Sequence, residues 1–246
     1  MTIVVGFLCR DGLVIAADSM LTLSAGAFDL AQRTGKKLYA LPASHVFAYA
    51  GAQGLGERLR AVVEGQATGD ANPANALVHT LNMSASALSG FRSTLVERPQ
   101  VNGVVGFPFG AEPQVCVFEQ DLQPRLLNEH SFYVTIGNGS VSAEPFLKFL
   151  ADAFLNNAMP TVQEAVFLAC WVVQYTIDTR PGGVGHPIRI AGLRRNGAAL
   201  DQFELLDADV EEHRQAITEM TGHIRDWRAR FADADGDDAP AVPLPE

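Results

Sequence analysis

Strand-like and helix-like runs fall in blocks along this chain, and that order limits its folds more than any other feature. Two apolar runs, "TIVVGFLC" and "LVIAADS", are joined by Arg10, Asp11 and Gly12, which is hairpin chemistry. A polar stretch follows to Gly35. "KKLYAL" and "HVFAYAG" then read as two strands around Pro42. "GLGERLRAVVEG" reads as a helix ending near Gly65. A second helix carries Leu77, Val78, Leu81, Ala85, Leu88, Phe91 and Leu95 on one face. Short strands recur in "VNGVVGF", "QVCVFE" and "FYVTIG". Two more helices follow, the second opened by the capping box Thr161 to Glu164. "IRIAGL" and "AALDQFELL" flank the hairpin turn Arg195, Asn196, Gly197.

A last helix spans about 207–231, with Val210, Ile217, Met220, Ile224, Trp227 and Phe231 as its apolar stripe and His213 in the remaining slot. That stripe packs either on the chain's own helices or on a neighbouring subunit. Residues 232–246 are acidic and Pro-rich and are expected to be disordered. Strands and helices do not alternate regularly, which argues against a doubly wound parallel sheet. The expected class is α+β. Two antiparallel sheets face to face between helix layers, a four-layer αββα sandwich, would use every element. Residues 1–231 are expected to form one domain, since no linker divides them.

Composition excludes several functions. The formal net charge is −10 and no cluster of Lys and Arg exceeds pairs such as Arg194 and Arg195, so neither nucleic acid nor an anionic membrane is an expected partner. No apolar run is long enough to span a bilayer. Arg10 and Asp11 interrupt the first segment, against a signal peptide. Cys9, Cys116 and Cys170 are widely spaced among apolar neighbours, which reads as buried free thiols in a reducing cytoplasm. "DADGDD" places its glycine wrongly for a calcium loop, "GGVG" lacks a lysine partner for phosphate, and the histidines are scattered. No metal or cofactor is expected.

The chemistry concentrates near the start. Removal of Met1 would make Thr2 the first residue, with a hydroxyl and a free α-amine on adjacent atoms. A hydroxyl needs a base, and an α-amine titrates at about 7.7–8.0, close to working pH. Asp18 ends an apolar strand and needs a partner there. A lysine from the pair Lys36 and Lys37 would supply one, and would hold the amine's pKa down. Strand alternation does not choose between the two. Gly51, at a strand end before a helix, offers a backbone N–H suited to an oxyanion.

Thr2, "GLVIAADS", "GKKLYAL" and "FAYAG" together resemble a proteasome β-type subunit of the N-terminal nucleophile hydrolases, most like the bacterial proteasome homologues. "TIGNGS" is similar to that family's Gly-Ser-Gly-Ser turn, and "IDTRPGG" to its Asp-x-x-Ser-Gly-Gly segment. The resemblance is strong to Gly65 and looser beyond. It implies that Thr2 is the nucleophile, that Asp18 orients Lys37, and that Gly51 N–H stabilises the oxyanion. It also implies that Asn138, Ser140 and Asp178 support the amine. Substrate would lie as an added strand between Thr22 and Gly51, with Leu21, Tyr49 and Gln53 lining a moderately apolar pocket that disfavours acidic residues before the cut.

Two positions depart from the family pattern: Asn138 and Pro181 stand where it has serines. The stretch from Asp18 to Lys37 is also about three residues longer than usual. The implied activity is a threonine endopeptidase in a self-compartmentalising homo-oligomeric ring, acting on peptides or unfolded chains supplied by an ATP-dependent unfoldase. The alternatives are a non-catalytic structural subunit of such an assembly and a small-molecule amidase of the same fold.

Overall fold

The computed structural model describes residues 2–25, 28–69, 73–92, 100–119, 121–179 and 183–233. Their architecture is mixed α+β, with three antiparallel sheets and five helices. The elements are β1 (Val4–Cys9), β2 (Gly12–Ala17), β3 (Met20–Ala25), β4 (Phe28–Thr34), β5 (Leu38–Leu41), β6 (His45–Gly51), α1 (Gln53–Thr68), α2 (Ala76–Arg92), β7 (Val101–Phe109), β8 (Glu112–Phe118), β9 (Pro124–Leu126), β10 (Tyr133–Ile136), α3 (Ser140–Leu155), α4 (Val162–Thr179), β11 (Arg189–Asn196), β12 (Ala199–Glu204) and α5 (Asp207–Asp233). One sheet has the order β10-β1-β2-β11-β12 and another β5-β6-β7-β8-β9, while β3 and β4 pair alone.

Strand alternation explains the continuous apolar runs. Val5, Phe7 and Cys9 of β1, with Val14 and Ala16 of β2, pack against α3 and α4. Val4, Leu13, Ile15 and Ala17 point the other way, onto Val46, Ala48, Val104 and Val115 of the second sheet. On that sheet's far face, Phe47, Val105 and Cys116 meet Leu59 and Val63 of α1 and Met83 and Phe91 of α2. Strands covered on both faces carry no polar alternation.

The capping box forms as expected: Thr161 N–H donates to Glu164 Oε2 at 2.7 Å, and Glu164 N–H to Thr161 Oγ1 at 3.3 Å. Asp11 adds a third contact, its Oδ1 accepting the Val162 N–H at 2.7 Å. The three cysteines are buried and free, and burial pushes Cys116 and Cys170 up to about 12. The α5 stripe divides: Val210 and Ile217 are buried with the α3–α4 layer, whereas Ile224 and Trp227 are exposed. α5 runs to Asp233, two residues into the expected 232–246 tail, and the rest of that tail lies outside the described residues.

The polar stretch before Gly35 forms a hairpin, β3 with β4. The apolar face assigned to α2 is misphased. The helix buries His79, Thr80, Met83, Ser84, Ala87 and Phe91 and leaves Leu77 and Leu81 exposed. The buried hydroxyls have backbone partners: Ser84 Oγ donates to Leu122 O at 2.5 Å and Thr80 Oγ1 to Leu77 O at 2.9 Å. Satisfied in this way, polar side chains can occupy a core face.

His79 faces His45 across the helix–sheet boundary, Nε2 to Nε2 at 3.5 Å, with both rings against Phe107. His45 Nδ1 lies 2.8 Å from Ala43 O, so it carries a proton and Nε2 accepts from His79. His79 Nδ1 is then a buried acceptor with no partner. Burial lowers the pKa of both rings. The folded state therefore binds fewer protons than the unfolded one below the ordinary histidine value of about 6.5. Stability is expected to be full above that value and to fall as pH drops through it toward the folded values. Thermal denaturation from pH 7 to pH 5 should show this decline, and His79→Leu should flatten it. A melting temperature that rises toward acid would contradict the assignment.

Candidate active site

The loop leaving β2 places Asp18 in a fully enclosed position, 0% exposed, beside Lys37 at 1%. Lys37 Nζ donates to both carboxylate oxygens, at 2.8 Å to Oδ1 and 2.9 Å to Oδ2. The structure thus selects the second lysine of the pair. Lys36 is exposed, its ammonium 5.4 Å from the centre of the Tyr39 ring. Asp18 also accepts three backbone N–H groups: Ile3 to Oδ1 at 3.0 Å, and Met20 and Gly185 to Oδ2 at 3.0 and 3.2 Å. A buried ion pair persists where hydrogen bonds satisfy the remaining lone pairs. Burial pushes the Lys37 ammonium below the ordinary lysine range, and Asp18 pulls it part of the way back.

Thr2 and Ile3 precede β1, so the strand starts two residues later than the sequence suggests. The segment is nevertheless held at several points. Ile3 is bonded to Asp18 in both directions, its C=O accepting the Asp18 N–H at 3.2 Å. Thr2 is buried, and its C=O accepts the Gly139 N–H at 3.0 Å. Gly137 is required here. Its φ is +96°, and a Cβ would lie 2.3 Å from Thr2 O and 3.1 Å from the Ala50 Cβ. The same point lies against Ala50, so the end of β6, one residue before Gly51, comes close to the Thr2 carbonyl. Gly51 is exposed, at φ +124°, and α1 starts two residues later with no side-chain cap. A helix start of this kind carries partial positive charge.

The supporting residues are placed less uniformly. Asn138 is exposed in the turn between Gly137 and Gly139. Ser140 opens α3, its N–H donating to Gly137 O at 3.0 Å, but its buried Oγ has no hydrogen-bond partner. Asp178 is exposed in the last turn of α4. It accepts from Gln174 at 2.8 Å and lines a groove with Trp171 and Arg214, on the α4–α5 side of the molecule. Pro181 lies outside the described residues.

The expected pocket residues also differ in exposure. Leu21 is half-buried and packs on Gly35, where a Cβ would meet its Cδ1 at 2.1 Å. Thr22 is half-buried with a partnerless Oγ1. Tyr49 is enclosed, its ring pressed on Gly56 of α1 and stacked on Tyr39 and Phe47. Gln53 is exposed and accepts from Arg33 Nη2 at 3.1 Å. Arg33 was not among the sequence candidates, and its charge weakens the expectation of an apolar pocket closed to acidic residues. Gly185 was missed too. Its amide reaches Asp18 across 167 residues, and no local pattern signals that. Among the described residues no group of three or more His, Cys, Asp and Glu could hold a metal, and no helix is long and apolar enough to cross a membrane.

No protein-family model matches the sequence, and no curated protein matches it. Solved structures do. An Anbu Gly-1 mutant from Hyphomicrobium sp. strain MC1 superposes with a TM-score of 0.72 at 17% identity, covering 96% of this chain and 100% of that one. The helical assembly of the Anbu complex from Pseudomonas aeruginosa gives 0.71 at 14% identity, covering 96% and 99%. Anbu, the ancestral beta-subunit, from Yersinia bercovieri gives 0.68 at 16%, covering 98% and 100%. These neighbours correct the proteasome β-type resemblance: the three structures superposed above are Anbu proteins. At these identities the likeness establishes that the chain has the fold of the Anbu structures over nearly its whole length.

Proposed function

We propose that this chain is a threonine-type endopeptidase that works in a homo-oligomeric, proteasome-like assembly of the Anbu kind. The observation that carries the reading is the buried Lys37–Asp18 pair, whose carboxylate also holds the Ile3 N–H directly after Thr2. A core position of that kind is costly unless it serves the segment it grips. Thr2 becomes competent once whatever precedes it, Met1 included, is removed. Its Oγ attacks the peptide carbonyl while the α-amine, directly or through water, takes the proton. Lys37 disfavours a second positive charge on that amine, and Gly51 N–H receives the oxyanion. The C–N bond then breaks, the leaving nitrogen takes the proton, and water hydrolyses the Thr2 ester. No cofactor is needed.

In this reading residues 1–231 form one domain, a four-layer αββα sandwich, acting in the cytoplasm. The substrate is a peptide or unfolded chain lying between Thr22 and Gly51, and an ATP-dependent unfoldase delivers it. The assembly is a ring or, as described for the Pseudomonas aeruginosa complex, a helical array. A second reading, a non-catalytic structural subunit, draws on the partnerless Ser140 Oγ and the exposed Asn138. Hydrolysis of a short fluorogenic peptidyl amide separates the two readings. Turnover is expected only in preparations whose chains begin at Thr2. No turnover from fully trimmed chain would favour the structural reading.

A further inference from the structure

The end of the inter-sheet layer beside Thr2 is polar, in contrast to the rest of that layer. Asn102 on β7 pairs with Ala50 and shares its strand face with Val104, so its side chain stands at the mouth between the sheets. Its buried Oδ1 accepts no hydrogen bond. Ser140 Oγ is buried and partnerless as well. Both residues line one cavity of about 560 Å³, together with Gly137, Glu119, Asp121 and Arg125. Gly137 packs against the Thr2 carbonyl, where a Cβ would lie 2.3 Å from its oxygen. A second cavity of about 500 Å³ shares Arg125, Thr135 and Ser140 and continues alongside β10 as far as Tyr133. β10 has β1 on one side and no strand on the other among the described residues.

We propose that this recess binds the leaving side of the substrate, the residues that follow the cut bond. The inference rests on the peptidase reading above. Its chemistry matches the leaving fragment. That fragment brings a row of N–H donors, and Asn102 Oδ1 is an acceptor without one. On release it carries a new ammonium, and the mouth holds two carboxylates against one guanidinium. Arg125 is itself paired with Glu119 at 3.6 Å, so an anionic occupant is disfavoured. Beyond the recess, the open edge of β10 can take an extended peptide by strand addition. Its four residues offer about 13 Å of edge.

The test uses two substrates with the same acyl side. One releases a small fluorescent amine; the other is an internally quenched peptide extended by four residues past the cut. In Asn102→Ala, kcat/KM for the extended peptide is expected to fall about five- to tenfold, the scale of one hydrogen bond. The short substrate should change less than about twofold. Equal losses on both, or no loss on the extended peptide, would overturn the proposal. If Asn102→Ala does not fold, Asn102→Ser takes its place. Should wild type cleave neither substrate, the peptidase reading fails and calorimetry with the free four-residue peptide still decides the site. Weaker binding in the Asn102 variant supports it, and unchanged or absent binding overturns it.

Discussion

Lys37→Ala is expected to destabilise the fold by about 3–5 kcal/mol and to remove peptidase activity. The first effect follows from burial. Without Nζ, Asp18 keeps its three backbone donors but becomes an enclosed charge with no counter-charge. The residue at 37 lies in the core, so water reaches the vacated space poorly. The second effect follows from position. Asp18 grips Ile3, and relaxation around an unpaired carboxylate would move the segment that presents Thr2. The two effects separate in a double variant. Lys37→Met with Asp18→Asn removes both charges, and its stability loss should be smaller than the sum of the single losses, as for any coupled pair. Activity should remain absent. Urea denaturation and peptide hydrolysis on the same preparations would report both. Full additivity would contradict the pairing.

Thr2→Ala should leave the fold intact and lower kcat by about 10³-fold or more, the scale seen when a covalent nucleophile is removed. Stability is spared because the Thr2 contact to Gly139 is made by the backbone carbonyl, which Ala retains. Thr2→Ser keeps the hydroxyl and should retain measurable turnover. A Thr2→Ala protein that hydrolyses peptide at the wild-type rate would place the chemistry elsewhere.

The parts of this molecule legible in the sequence share one property: local sequence carries their reason. β1 and β2 announce themselves as unbroken apolar runs because helices cover one face and the second sheet the other. Asp18 stands out because a carboxylate that ends such a run needs a partner. The Thr161–Glu164 cap is visible because both members lie within one turn.

What stayed hidden depends on distant partners. The buried face of α2 includes Ser84 because Leu122 O, 38 residues on, accepts from it. The choice of Lys37 over Lys36 needed the fold, since adjacent strand residues point to opposite faces and both were candidates. Tyr49, expected to line the pocket, is enclosed because α1 approaches so closely at Gly56. The proteasome β-type resemblance did not hold as stated: the fold neighbours, at 14–17% identity, are Anbu structures, and they establish the fold alone.

The central claim is that Thr2 supplies both hydroxyl and amine. A peptide epoxyketone tests it directly, because the reagent closes a ring using both groups of an N-terminal threonine. The intact mass of the purified chain would be measured with and without it. The expected result is loss of Met1 and one adduct per chain, absent in Thr2→Ala. A chain that has lost Met1 and takes up no reagent would contradict the claim.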